Sequence, residues 1–155
     1  MKGLSLLAGG ELFMVDVMRV QKLVRNMTWT EVPAAQDEVV GIANLHGGVV
    51  TLVSLSALIG RGRNANAVHA VVFKPFVDEK SQMGLLVDDM GNIITIDEAE
   101  IFRPEISVEE KEKSFISGLT EIEGKFYRII DIDLARDRII EGGKKTANTL
   151  LQGEI

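Results

Sequence analysis

Along most of the chain apolar residues alternate with polar ones at a period near two, and glycine pairs interrupt the alternation, as in short strands joined by tight turns. Lys2 to Ala8 reads as a first strand, Gly9-Gly10 as a turn, and Glu11 to Val17 as a second strand. The alternation slips by one near Met18-Arg19 and resumes at Val20, Leu23 and Val24, as a β-bulge would make it do. Asn26 to Glu31 is a polar loop with the only tryptophan, Trp29. Pro33 suits the first turn of a helix, so a short helix is expected over Ala34 to Val40, with Gly41 ending it.

The clearest hairpin follows. Ile42 to Leu45 is strand-like, His46-Gly47-Gly48 is a corner, and Val49 to Leu55 is a strand rich in β-branched residues. Gly47 and Gly48 accept positive φ, which allows the chain to reverse there. Gly60 to Asn66 is the best internal linker. Val68 to Phe73, Gly84 to Val87 and Ile93 to Ile96 read as strands, with Lys74 to Ser81 a polar loop. The acidic stretch Glu98 to Glu112 holds a capping-box pattern, Ser107-Val108-Glu109-Glu110. Phe115 to Ile122 and Lys125 to Ile132 form a hairpin about Gly124. A short helix is expected over Leu134 to Glu141, capped by Asp131 or Asp133 and ended by Gly142-Gly143, leaving residues 142–155 as a loose tail.

The chain echoes itself. Gly41, Leu45, Gly47, Val49, Leu52, Val53 and Leu55 are matched at a constant offset of 77 by Gly118, Ile122, Gly124, Phe126, Ile129, Ile130 and Ile132. Met14 to Met18 resembles Leu86 to Met90 at an offset of 72. Two similar β units are therefore expected, and units of about 60 residues bury too little alone, so they should pack together on an apolar seam. The fold class is all-β, with a first barrel over residues 11–63, a second over 66–141, and strand 2–8 pairing with either.

Composition narrows the function. Of 155 residues 46% are hydrophobic, enough for a core, but only 5% are aromatic, which leaves little for stacking on bases. A net charge of −6 opposes binding by phosphate neutralisation, so no nucleic-acid partner is expected. The absence of cysteine removes disulfides and thiolate chemistry. Leu4 to Ala8 is too short for a signal or membrane span, so a cytoplasmic protein without membrane insertion is expected.

Several stretches, in this order, resemble the CheW-like domain family of bacterial chemotaxis signalling: Glu11 to Leu23, Val32-Pro33, Gly41 to Gly47 with its following strand, Gly84 to Asp88, and Phe115 to Gly118. The resemblance covers about residues 4 to 135. It implies two five-stranded SH3-like barrels side by side and a non-enzymatic adaptor that joins the chemoreceptor cytoplasmic tip to the histidine kinase CheA. It also implies an apolar groove between the barrels for the receptor and an end-to-end contact for the kinase. Val20, Gly41, Asn44, Leu45, His46 and Gly47 match places linked with receptor coupling. The chain departs from the family pattern in having His46 for the usual Arg, Thr51 for a usual Pro and Ser54 for a usual Asp. A CheW-like scaffold of another kinase pathway is the alternative those departures leave open.

Other chemistry is thin. His46 is either a pH-sensitive contact or a surface turn residue, and His69, in an apolar strand, is a structural histidine before it is a ligand. Asp88-Asp89 and Asp131-Ile132-Asp133 offer oxygens to Mg²⁺, or else a strand-end turn and a helix cap. Arg61 and Arg63 form a basic loop or a solvated linker. No phosphate loop, His-Glu-x-x-His or Gly-x-Ser-x-Gly is present, so no catalytic residue, cofactor or metal is expected. A metal-dependent enzyme using the Asp clusters and an RNA-binding barrel are the readings from other classes.

Overall fold

A computed structural model of the chain describes all residues except 34–35, 78–81, 106–113 and 152–155. The capping box at Ser107 lies outside the described residues. Among the described residues, eleven strands form two sheets: β1 (Lys2–Ala8), β2 (Glu11–Asp16), β3 (Val20–Val24), β4 (Thr30–Glu31), β5 (Val39–Leu45), β6 (Gly48–Ser54), β7 (His69–Phe73), β8 (Gln82–Val87), β9 (Asp89–Thr95), β10 (Ile116–Ile122) and β11 (Lys125–Ile130). Helix α1 spans Leu55–Leu58 and α2 spans Ile132–Leu151. A 3-10 turn, Val17–Arg19, fills the irregular place between β2 and β3, and the register then shifts between Val20 and Lys22.

The five-stranded sheet runs β10-β11-β2-β1-β9 and the six-stranded sheet runs β3-β7-β8-β6-β5-β4. These are two SH3-like barrels, but hydrogen bonding does not divide the chain between residues 63 and 66. Hairpin β1–β2 pairs with β9 and β11, and hairpin β7–β8 pairs with β3 and β6. Each half of the chain thus lends its leading hairpin to the barrel built mainly by the other half. The parallel pairs β2–β11 and β6–β8 are the joints of this exchange.

Alternation along each strand divides the apolar residues among three cores. Leu4, Leu6, Phe13 and Val15 of one sheet meet Val53, Val71, Phe73 and Leu85 of the other in the seam. Met27, Val50, Leu52, Val72 and Leu86 fill the six-stranded barrel, and Met14, Ile96, Ile101 and Ile129 the five-stranded one. Burying a side chain of this size stabilises by roughly 1.5–3 kcal/mol, so the seam makes the barrels mutually dependent.

Local expectations fail where distant contacts outbid them. No helix follows Pro33 among the described residues: Gln36 is a bend, Asp37 and Glu38 a turn, and Val39 already belongs to β5. The Arg63 guanidinium donates to the carbonyls of Asp37 at 2.7 Å and Val39 at 2.6 Å and so holds this segment in its turn. Gly41 consequently lies inside β5, paired with Leu52 and Glu31. Gly142-Gly143 do not end the last helix, which continues to Leu151, so residues 142–151 are helical rather than a loose tail. Glycine within a helix costs about 1 kcal/mol, and here the bare backbone of Gly142 leaves room for the Gln36 carboxamide, which donates to the Ile139 carbonyl at 3.0 Å. No helix among the described residues is long and apolar enough to cross a membrane.

Candidate functional site

The corner between β5 and β6 is a two-residue turn. His46 (φ 52°) and Gly47 (φ 79°) both lie in the left-handed region, as a type I′ hairpin requires, whereas Gly48 is already in β6 opposite Leu45. The positive φ expected at Gly48 thus falls on His46, because a two-residue loop needs it at both central positions. His46 is exposed, and its Nε2 lies 2.9 Å from Lys22 Nζ on β3. An ammonium only donates, so the imidazole nitrogen is the acceptor. This contact brings β3, the strand of Val20, to the corner.

The other site residues do not share one surface. Asn44 is exposed opposite Val49. Leu45 is half-buried against the core of the six-stranded barrel, while Val20 is half-buried against the seam. Gly41 is buried, and a Cβ there would fall on the Thr30 carbonyl oxygen and against the Trp29 ring, so only glycine lets β4 cross β5.

One feature escapes the sequence reading. Thr28, Trp29 and Thr30 face Ile42, Asn44 and Val49 across an open depression of about 410 Å³ on the outer side of the hairpin. Ile42 is 40% exposed and Val49 48%. Alternation shows that Ile42 and Val49 share a face but not whether that face is covered. A lone Trp beside a strand edge was the available signal.

Elsewhere, the candidate residues for chemistry have structural partners. The Asp88 carboxylate accepts from the Gly9 N–H at 3.0 Å and Asn64 Nδ2 at 2.8 Å. Asp131 caps α2, accepting from the Leu134 N–H at 3.1 Å. His69 Nδ1 accepts from the Asn26 N–H at 3.1 Å. Arg61 pairs with Glu11, which also holds Arg128. Ser54 caps α1 by accepting from the Ala57 N–H at 3.1 Å, a task Asp performs equally well, so this departure from the family pattern keeps its local role. Among the described residues, no three His, Asp or Glu side chains are grouped to hold a metal ion.

Arg19 and Asp133 form a bidentate pair, at 2.9 and 3.0 Å. The hydrogen bond from Arg19 holds the Asp133 carboxyl below its usual range, and the same bond raises the Arg19 guanidinium further. The corner and the depression beside it are open to solvent, whereas Arg19 and Asp133 are satisfied by each other.

A family model described as the CheW-like domain matches residues 2–138. The chain is 30% identical over 125 residues to the chemotaxis protein CheW of Rhizobium meliloti, covering 81% of this chain and 80% of that protein. It is 28% identical over 127 residues to the probable chemotaxis protein CheW of Rhizobium etli, with the same coverage of 81% and 80%. The crystal structure of the scaffolding protein TtCheW from Thermoanaerobacter tengcongensis has the same fold, with a TM-score of 0.70, 23% identity, and coverage of 83% of this chain and 87% of that one.

Proposed function

The chain belongs to the CheW-like domain family, and from that premise we propose that it is an adaptor of chemotaxis-type signalling, with no turnover of its own, that couples a chemoreceptor to a CheA-type histidine kinase in the cytoplasm. The observation that carries the reading is a family match spanning both barrels, residues 2–138. Two protein partners need two surfaces on one rigid body, and barrels interlocked by hairpin exchange supply such a body. The receptor tip, a helical structure, is assigned to the exposed Asn44, His46 and Gly47 of the corner, with half-buried Val20 and Leu45 behind it and buried Gly41 shaping β5 rather than touching the partner. The kinase is assigned to the end of a barrel. The division at residues 63 and 66 is kept only as a division of the sequence repeat.

A second reading stays within the family. His46 is engaged by Lys22, so the corner presents an ammonium and an imidazole where the family pattern has a guanidinium fork. A scaffold serving a different kinase pathway would carry such a change.

The test is a pulldown from host extracts with the full chain as bait and a Val20→Ala, His46→Ala double variant as control. Recovery of a CheA-type kinase with chemoreceptors, the receptors depleted in the variant, is the expected result. Recovery of another kinase without chemoreceptors would favour the second reading, and recovery of no kinase would overturn the adaptor.

A further inference from the structure

Helix α2 leaves the five-stranded sheet at β11 and is held against connections of the other barrel. Asp133 takes both terminal nitrogens of Arg19. Arg136 lies 4.5 Å from the centroid of the buried Phe76 ring, and Arg19 lies 5.4 Å from the same centroid. Further along, the Ile139 carbonyl accepts from Gln36.

Arg19 immediately precedes β3. That strand stands at the edge of its sheet, paired among the described strands with β7 alone, and none of its five residues is fully buried. A strand so placed is held by main-chain pairing rather than burial and opens readily. Its pairing also shifts register between Val20 and Lys22. The start of β3 is instead set at Arg19, whose carbonyl accepts from the Lys74 N–H at 2.8 Å while its guanidinium grips Asp133. Three residues on, Lys22 meets His46.

We propose that Arg19 is a positioning residue: gripped by Asp133 and stacked on Phe76, it ties the seating of α2 to the setting of β3 and, through Lys22, to the His46 corner. Its consequence for partner binding rests on the adaptor reading, but the coupling itself is a property of the free chain. The bidentate geometry favours a single arrangement of the two side chains. Both groups are partly in water, so concentrated salt weakens the link.

Hydrogen–deuterium exchange on the full chain tests it without any partner. In Asp133→Asn, amides of residues 20–24 and 45–48 are expected to exchange roughly 2- to 5-fold faster, the range set by loss of a partly exposed ion pair. The unaltered chain in about 1 M salt should shift the same way, and Asp133→Glu should restore slow exchange. Acceleration confined to α2, or no change at residues 20–24 and 45–48, overturns the proposal. If the exchange pattern is as expected but no receptor or kinase is recovered from host extracts, the positioning role stands and the adaptor reading falls.

Discussion

Hairpins β5–β6 and β10–β11 hold the same place in the two barrels and agree residue by residue, yet their outer faces carry different chemistry. Each turns on a non-glycine followed by glycine, His46-Gly47 and Glu123-Gly124, all at positive φ. Each shifts register at a buried glycine, Gly41 or Gly118, crossed by a neighbouring segment through Thr30 or Phe102. Each leads into a helix through a capping side chain, Ser54 or Asp131.

On the first hairpin Ile42, Asn44, Val49 and Thr51 present a face without charge. On the second, exposed Phe126 lies opposite Glu121, and Arg128 is tied to Glu11. Helix α1 stops after one turn, whereas α2 runs for 20 residues and holds Arg19 with Asp133 of its first turn. Turn geometry, register and caps are dictated by backbone hydrogen bonding and recur. The outer side chains have no such duty, which leaves the two ends of the molecule able to meet different partners.

The largest test of the likeness is in the cores. Leu52 and Ile129 are equivalent and both buried, but Leu52 sits in the larger cluster and Ile129 beside half-buried Ile122 and Tyr127, which can collapse into a void. In urea unfolding, Leu52→Ala is expected to cost about 3–5 kcal/mol and Ile129→Ala about 2–3 kcal/mol. Equal losses would mean that the two interiors are equally tight.

The crossing glycines give the next contrast. At Gly41 an added Cβ falls on backbone, the Thr30 carbonyl oxygen, while at Gly118 the overlap is milder, with the Ile101 side chain at 2.8 Å and the Phe102 carbonyl oxygen at 3.1 Å. Gly41→Ala should therefore destabilise by about 3 kcal/mol and Gly118→Ala by about 1 kcal/mol. The reverse order in denaturant midpoints would contradict the packing described for β4 and β5.

The smallest effect concerns α2. Asp133 faces Arg19 and Arg136, while Asp131 and Asp16 act on Arg19, and the Arg19 hydrogen bond depresses the Asp133 carboxyl. A depressed folded value stabilises above the unfolded carboxyl value of about 3.9 and is lost as pH falls below it through the folded value. The stability gap between the parent chain and Asp133→Asn should thus be constant from about pH 5 to 8 and close below about pH 4. It should not exceed about 1 kcal/mol, because both side chains are partly exposed. A gap that widens on acidification would refute the assignment.

Most strands, the two matching hairpins and the cap at Asp131 could be read from the chain alone, because period-two alternation, positive φ at glycine and a side-chain bond across three residues are all local, whereas Thr30–Glu31 read as loop and Leu55 as strand. The corner at Asn44 to Gly47 was legible for the same reason. Lys22 beside His46 was not, since residues 24 positions apart meet only through the placing of β3. Neither was the end of α2, because whether glycines stop a helix depended on Gln36, more than 100 residues away. Sheet membership was likewise decided by long-range pairing: β1 had a second edge to pair and found β9, and β7–β8 found β3 and β6. Exposure of Ile42 and Val49 belongs with these, because a strand's pattern tells which residues share a face, and only the packing of other segments tells which face is covered.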